Sequence, residues 1–156
     1  MNLLYVCTHN RCRSIICEAV SNHRGAGRLA AYSAGSSPAG EVHPLSLRYL
    51  AQAGYPTEGL QSQSWHDFQG QDLDLVLTVC DSAAGESCPL WLGRSVKLHW
   101  GLADPSKLEG SEAEIEAAFM TTITEVEQRV DDLLELPLEE LRASDLHDAL
   151  VNLGAR

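Results

Sequence analysis

Short apolar runs separated by polar, turn-forming stretches form the pattern of this chain. Runs of five to seven residues that are bounded by Gly, Pro, Ser or Asn are typical of strands. The run at 73–79 is mostly apolar and indicates a buried strand. The pattern predicts four strands, at 2–6 (NLLYV), 30–34 (AAYSA), 73–79 (LDLVLTV) and 95–99 (SVKLH).

Longer stretches with apolar residues every three or four positions predict helices. Glycines stop the first two helices, Pro44 stands near the start of the second, and Pro137 follows the end of a long amphipathic one. The predicted helices are 13–24, 43–53, 111–134 and 138–152, with a short helical turn at 65–69.

Strands that alternate with helices predict a parallel sheet with helices on both faces. The expected fold is α/β: residues 1–156 form a single domain, a four-stranded parallel sheet flanked by helices. Residues 138–156 are left as an extra packing helix or a dimer contact, with a monomer as the default. Ligands of such sheets bind beyond the carboxyl ends of the strands. Cys7 and Cys80 each follow a strand there, so we expect them at one edge.

The charge of the chain narrows the classes of partner. The net charge is −11 over 156 residues, which argues against a nucleic-acid binder, since such a protein needs a basic face. No apolar run is long enough to span a bilayer, and the N-terminus does not resemble a signal peptide. We therefore expect a cytoplasmic protein that engages neither nucleic acid nor membrane.

The chain has five cysteines, Cys7, Cys12, Cys17, Cys80 and Cys88. An odd number without a secretion signal does not favour a disulfide framework, and without a CxxC pair a structural zinc site is disfavoured. Redox or nucleophilic chemistry is the better use for these thiols.

The segment CTHNRCRS at 7–14 combines two cysteines and two arginines without an acid. It lies between a predicted strand and a predicted helix, where backbone N–H groups and the helix N-terminus form a cradle for an oxyanion. Arg13 would offer a planar fork of donors, and Cys7 would be stabilised as a thiolate, with Ser14 as a donor to its sulfur. The alternative is a buried cysteine in an ordinary turn. The predicted oxyanion-binding residues are Thr8, His9, Asn10, Arg11, Cys12, Arg13 and Ser14.

This segment resembles the phosphate-binding loop of low-molecular-weight protein tyrosine phosphatases and of the arsenate reductases that share their fold. SAG at 33–35, TVCDSAAGESCP at 78–89 and HWGLADP at 99–105 resemble the arsenate reductase branch. The resemblance covers about residues 2–134. One departure is His9, where the family loop often has Gly before the Asn.

The resemblance implies a relay of three cysteines. Cys7 attacks arsenic, Cys80 then attacks the Cys7 sulfur and releases arsenite, and Cys88 takes over the disulfide from Cys7. Asp104 is, by the same resemblance, the general acid. Thioredoxin, or glutaredoxin with glutathione, would supply the electrons. The alternatives are a low-molecular-weight phosphatase and a non-catalytic oxyanion sensor.

The remaining candidates have smaller roles. Cys12 and Cys17 are expected to be packing residues, with a protective Cys7–Cys12 disulfide as a further option. Asn10, Glu18 and Ser33 match a potassium site of some relatives, but His66 falls where a carboxylate would be needed, so we predict no metal. We predict no organic cofactor. His43 is predicted to be exposed to solvent.

Overall fold

A single β-sheet is the framework of this protein. The computed structural model describes residues 1–68, 71–79, 96–137 and 148–149. Neighbouring strands of the sheet are all parallel and follow the order β2-β1-β3-β4. This arrangement confirms the predicted α/β class with a four-stranded parallel sheet. The strands are β1 (Asn2–Val6), β2 (Ala30–Ala34), β3 (Leu75–Thr78) and β4 (Val96–His99).

Three helices of the described residues accompany the sheet, close to their predicted positions. The predicted helix at 138–152 lies outside the described residues, apart from 148 and 149, which are helical. None of the described helices is both long and apolar enough to cross a membrane. The helices are α1 (Arg13–Gly25), α2 (Pro44–Gln52) and α3 (Glu112–Leu134), with 3₁₀ turns at Trp65–Phe68 and Pro105–Lys107.

The helix ends follow local rules of capping. His43 precedes Pro44 as the N-cap of α2, and its Nδ1 accepts a hydrogen bond from the backbone of Leu45 at 3.2 Å. Ser111 caps α3 in the same way, with its hydroxyl oxygen 3.2 Å from the backbone nitrogen of Glu114. The stop of α1 differs from the prediction, because Ala26 adopts the left-handed turn with a φ of 46°.

The core lies on both sides of the central strands. Leu3, Leu4, Tyr5, Leu75 and Leu77 are fully buried, which explains why β1 and β3 are continuous apolar runs rather than alternating ones. Helix α3 packs on α1 and α2, and its buried residues form a stripe at helical spacing. These residues are Phe119, Ile123, Val126, Val130 and Leu133.

Strand order decides what meets at the carboxyl edge of the sheet. Cys7 comes directly after β1, and its backbone N–H donates to the carbonyl of Ala34 at the end of β2, at 3.2 Å. On the other side, the chain leaves β4 at His99 and reaches Asp104 five residues later. The turn after β1 and the segment after β4 therefore approach the same edge.

Candidate active site

The loop between β1 and α1 turns carbonyl groups outward. Three of its carbonyl oxygens accept hydrogen bonds from the backbone of the segment after β2. Since the N–H and C=O of a peptide unit point in opposite directions, N–H groups of this loop face inward, where α1 begins and where an anion is favoured. The pairs are Ser37 to Thr8 at 2.9 Å, Ala39 to His9 at 2.9 Å and His43 to Arg11 at 3.0 Å.

Asn10 fixes the middle of the loop. It is fully buried and has a φ of 49°, a left-handed conformation that Asn tolerates better than most residues. Its Nδ2 donates to the hydroxyl oxygen of Ser14 at 2.8 Å, and its Oδ1 accepts from the backbone N–H of Gln63 at 2.8 Å. The turn is thus bonded both to the start of α1 and to a distant segment.

Gly35 supports the loop from behind. A Cβ atom at this position would lie 2.5 Å from the carbonyl oxygen of Thr8 and 2.8 Å from that of Cys7. Both neighbours are backbone atoms, which cannot move aside as the end of a flexible side chain can. The predicted motif SAG at 33–35 therefore has a steric reason for its glycine.

Arg13 and Asp104 connect the loop to the segment after β4. Nη1 of Arg13 donates to the carbonyl oxygen of Leu102 at 3.1 Å, and Nη2 lies 3.5 Å from Oδ2 of Asp104. The other carboxylate oxygen, Oδ1, accepts from the backbone N–H and the hydroxyl of Ser106, at 3.0 and 2.6 Å. Both side chains are thereby held at the cradle.

A cavity of about 200 Å³ opens over the loop. Cys7, Arg13 and Asp104 line it together, although Asp104 is 97 residues beyond Cys7 in the chain. None of its described lining residues is Phe, Tyr or Trp. The others are Thr8, His9, Arg11, Cys12, His43, Ser106 and Lys107.

The three described cysteines have different surroundings, and none is in a disulfide. Burial raises the pKa of Cys12 to about 11, although the hydroxyl of Ser46 opposes this shift. Cys12 therefore stays a thiol at neutral pH, next to Cys7 in the lining of the cavity. Cys17 is fully buried inside the core, and burial raises the pKa of its thiol far above the usual range.

The predicted exposure of His43 is wrong. The ring lines the cavity and is half-buried, 6.3 Å from the ring of Phe119 between the ring centroids. Burial, and then the charge of Arg11, lower the pKa of His43. The signal in the sequence was its position before Pro44, where an N-cap side chain turns toward the start of its helix.

Sequence reasoning also missed Ser106 and Lys107. Both lie in the 3₁₀ turn that Pro105 begins and that Asp104 caps. The Asp-Pro pair was the available signal, since Asp before Pro commonly opens a turn and bonds to the backbone two residues later. Cys80 and Cys88, the other two predicted relay cysteines, lie outside the described residues.

Two of the residues that match a potassium site bond to each other, and His66 bonds to its chain neighbour. The hydroxyl of Ser33 donates to Oε1 of Glu18 at 2.6 Å, and His66 accepts from the indole of Trp65 at 3.2 Å. Burial raises the pKa of Glu18 to about 7. Among the described residues, no three His, Cys, Asp or Glu side chains are grouped so that they could hold a metal ion.

Comparison with known proteins shows that this chain is similar to arsenate reductases. A curated relative from Synechocystis, a glutaredoxin arsenate reductase, is 29% identical over 85% of this chain and 95% of its own. The solved structure of an arsenate reductase in the phosphate-binding state has a TM-score of 0.71 and 28% identity, over 86% of this chain and 96% of that one.

A second solved structure is the thioredoxin-dependent arsenate reductase of Corynebacterium glutamicum. It has a TM-score of 0.65 and 28% identity, and the match covers 86% of this chain but 60% of that protein. The family of low-molecular-weight phosphotyrosine protein phosphatases matches residues 2–145, nearly the whole chain. This protein therefore belongs to the low-molecular-weight phosphotyrosine protein phosphatase family.

Proposed function

We propose that this protein is an arsenate reductase that converts arsenate to arsenite by thiol–disulfide chemistry, in arsenic detoxification. The observation that carries the proposal is the convergence of Cys7, Arg13 and Asp104 on one anion-binding cavity. Several relatives of this chain are arsenate reductases, which supports arsenate as the oxyanion that the cavity binds.

In the first step, the oxyanion occupies the cradle and the Cys7 thiolate attacks arsenic. Inward N–H groups and the guanidinium of Arg13 stabilise the negative charge on the oxygens. Asp104 receives donors from Ser106 and Arg13 on its two oxygens, the arrangement of an ionised carboxylate. It therefore takes a proton from one hydroxyl of the arriving dihydrogen arsenate and passes it to the other hydroxyl, which leaves as water.

In the second step, two electrons move from sulfur to arsenic. Cys80 attacks the sulfur of Cys7, the sulfur–arsenic bond breaks with its electron pair on arsenic, and arsenite leaves. Cys88 then attacks Cys80 and frees Cys7. Support for these two roles comes from the motif TVCDSAAGESCP and its resemblance to the family.

Thioredoxin, or glutaredoxin with glutathione, would reduce the final disulfide. Relatives that are named for each donor support both options. A relay that must be returned to free thiols after every turnover suits the reducing cytoplasm, where we place the protein.

A weak phosphatase activity is the second candidate function. Phosphate and arsenate have the same shape and charge, so the cradle binds both. A described lining without aromatic side chains favours a small inorganic anion over phosphotyrosine.

The test is an assay of NADPH oxidation by thioredoxin reductase and thioredoxin, started with arsenate. We expect turnover with the wild-type protein, none with Cys7→Ser, and a single release of arsenite with Cys88→Ser. Cys17→Ala is the matched control, because it removes a core thiol that does not line the cavity.

Turnover by Cys7→Ser would reject the proposed nucleophile, and sustained turnover by Cys88→Ser would reject the relay. If arsenate causes no turnover with thioredoxin, the same assay with glutaredoxin and glutathione tests the other donor. Failure with both, together with hydrolysis of an aryl phosphate, would assign the protein to the phosphatase branch.

A further inference from the structure

Two exposed cationic residues line the mouth of the cavity. Arg11 comes from the loop after β1, and Lys107 comes from the 3₁₀ turn that follows Asp104. Among the described residues, neither has a carboxylate within ion-pair distance, whereas Arg48, which does not line the cavity, lies 2.9 Å from Glu112. Together, Arg11 and Lys107 form the rim pair.

The charge of Arg11 acts on the wall of the cavity. Burial, and then this charge, lower the pKa of His43, which lines the same opening. Nδ1 of His43 accepts the N–H of Leu45, so the neutral ring carries its hydrogen on Nε2 and has no negative charge. His43 therefore offsets none of the positive charge of the rim pair.

Negative charge is scarce at this opening. Asp104 is the sole carboxylate among the lining residues that the structure describes, and its two oxygens already accept donors from Arg13 and Ser106. The whole chain has a net charge of −11, so this concentration of positive charge runs against the overall balance. A cleft lined by charge of one sign raises the local concentration of ligands of the opposite sign.

The cavity also has room beyond the first anion. The inward N–H groups, the start of α1 and Arg13 surround one tetrahedral oxyanion in the cradle. The cavity measures about 200 Å³. Since a water molecule takes about 30 Å³ in the liquid, an anion of five heavy atoms leaves part of this space open. None of the described lining residues is aromatic, so the open part favours a charged group over a phenyl ring.

We propose that the rim pair is an outer anion subsite, and that this protein hydrolyses small phosphates that carry a second anionic group beside the reacting phosphoryl group. The inference deepens the second candidate function, because it rests on a phosphatase activity of the same cradle. Inorganic pyrophosphate is the simplest compound of this class. One of its phosphoryl groups occupies the cradle, and the other, which is the leaving group, contacts Arg11 and Lys107.

The reaction is balanced in atoms and charge. The Cys7 thiolate attacks the phosphorus in the cradle, a sulfur–phosphorus bond forms, and the bond from that phosphorus to the bridging oxygen breaks. With dihydrogen pyrophosphate, Asp104 carries a proton from the transferred phosphoryl group to the leaving phosphate, which departs as dihydrogen phosphate. Water then attacks the same phosphorus, and its two hydrogens leave on a second dihydrogen phosphate as the Cys7 thiolate returns. No atom changes its oxidation state, so the reaction needs no electron donor.

The test measures phosphate release from pyrophosphate by the full chain, at low salt and with a chelator that removes divalent metal ions. The comparison substrate is p-nitrophenyl phosphate, in which a neutral ring replaces the second phosphate. Nitrophenol and dihydrogen phosphate are acids of similar strength, so the two leaving groups differ mainly in charge and shape. We expect hydrolysis of both substrates by the wild type, with the higher kcat/KM for pyrophosphate.

The double variant Arg11→Gln with Lys107→Gln should lower kcat/KM for pyrophosphate by at least about tenfold, because it removes two charged donors to the leaving phosphate. The value for p-nitrophenyl phosphate should fall by a smaller factor. Each single rim variant repeats the test with less change to the surface. Arg48→Gln is the matched control for these, since it removes one exposed positive charge outside the cavity. Cys7→Ser should abolish both activities.

Absence of pyrophosphate hydrolysis in the wild type would overturn the proposed activity. Equal losses with the two substrates in the double variant would overturn the subsite, because the rim pair would then serve the phosphoryl group in the cradle. The assay contains no arsenate, so its result can be interpreted even if arsenate reduction fails. A wild type that reduces arsenate but leaves pyrophosphate intact would overturn this inference and keep the proposed reductase.

Discussion

The two ends of α1 differ in how far carboxylates neutralise their arginines. At the C-terminal end, Arg24 donates to both carboxylate oxygens of Asp131, at 2.8 and 2.5 Å, and lies 3.5 Å from Glu127. At the N-terminal end, Arg13 reaches a single carboxylate at 3.5 Å, and among the described residues Arg11 pairs with none.

The helix dipole explains what this difference means. Cations near a helix C-terminus are stabilised by the partial negative charge there, and the carboxylates of α3 complete the neutralisation. Cations near an N-terminus add to a partial positive charge, an arrangement that an incoming anion relieves. A balanced end therefore contributes to the packing of two helices, whereas an unbalanced end is prepared for a ligand.

The largest effect should come from Arg13→Lys, which keeps the charge but removes the planar fork. Hydrogen bonds to charged groups contribute about 1.5–3 kcal/mol, so phosphate affinity should fall about tenfold to hundredfold. Calorimetric titration with phosphate measures this, and Arg24→Lys at the other end of α1 is the matched control. Equal affinities in all three proteins would show that the N-terminal end does not bind the anion.

Glu18, five residues into α1, should make stability depend on pH. Burial raises its pKa from 4.5 to about 7, so the folded state holds a proton that the unfolded chain has lost. Its contribution is therefore most favourable below about pH 4.5 and is lost as the pH rises toward 7, by at most about 3 kcal/mol.

Urea unfolding at pH 5 and pH 8 measures this dependence. The free energy of unfolding of the wild type should fall between these values relative to that of Glu18→Gln, which cannot ionise. Parallel pH profiles for the two proteins would contradict the prediction. Ser33→Ala should lower the stability of the protonated form, because it removes the partner of the Glu18 carboxyl group.

Gly35→Ala should disturb the loop at the N-terminal end of α1 without changing the charge of any residue. The added methyl group meets two carbonyl oxygens of the loop, and such overpacking costs about 1–3 kcal/mol. Urea unfolding should show this loss, and phosphate titration should show weaker binding. In Gly110→Ala, the matched control, the Cβ would meet the carboxylate end of Glu114 at 2.8 Å, a flexible side chain that can move away. Equal effects of the two substitutions would contradict the steric argument.

The smallest effect should come from Asp131→Asn at the balanced end. Exposed ion pairs contribute about 0.2–1 kcal/mol, so the free energy of unfolding should fall by no more than this, and less at high salt. Phosphate affinity should stay the same. A drop in affinity comparable to that of Arg13→Lys would remove the distinction between the two ends.

Local patterns were sufficient for most elements of the fold. The apolar run at 2–6 became β1 without change, because turn residues bound it closely. The run at 73–79 was trimmed to Leu75–Thr78, since pairing with β1 begins at Leu3 and Leu75. Helix α2 lost a residue at each end because His43 and Ala53 act as its caps.

The residues of the site likewise fall into two groups, those that local patterns could place and those that only the folded chain brings together. Cys7 and Arg13 could be placed together from the sequence, because a strand, a short loop and a helix start fix their relative positions locally. The cavity that also holds Asp104, His43 and Lys107 depends on strand order and on a helix cap, which join segments far apart in the chain. For this reason His43 was expected in solvent and Lys107 was missed.

The sequence by itself determined the alternation of strands and helices and the cradle loop, because periodicity and capping act over a few residues. The steric need for a glycine at position 35 arises only in the folded chain, where it meets the carbonyl groups of Thr8 and Cys7. Tertiary structure alone decided which cations of the described residues have a carboxylate partner. Arg24 meets Asp131 through the packing of α1 on α3, and the edge of the sheet brings Arg11 and Lys107 to one opening. Charge balance depends on distances in space, and those distances exist only after the chain has folded.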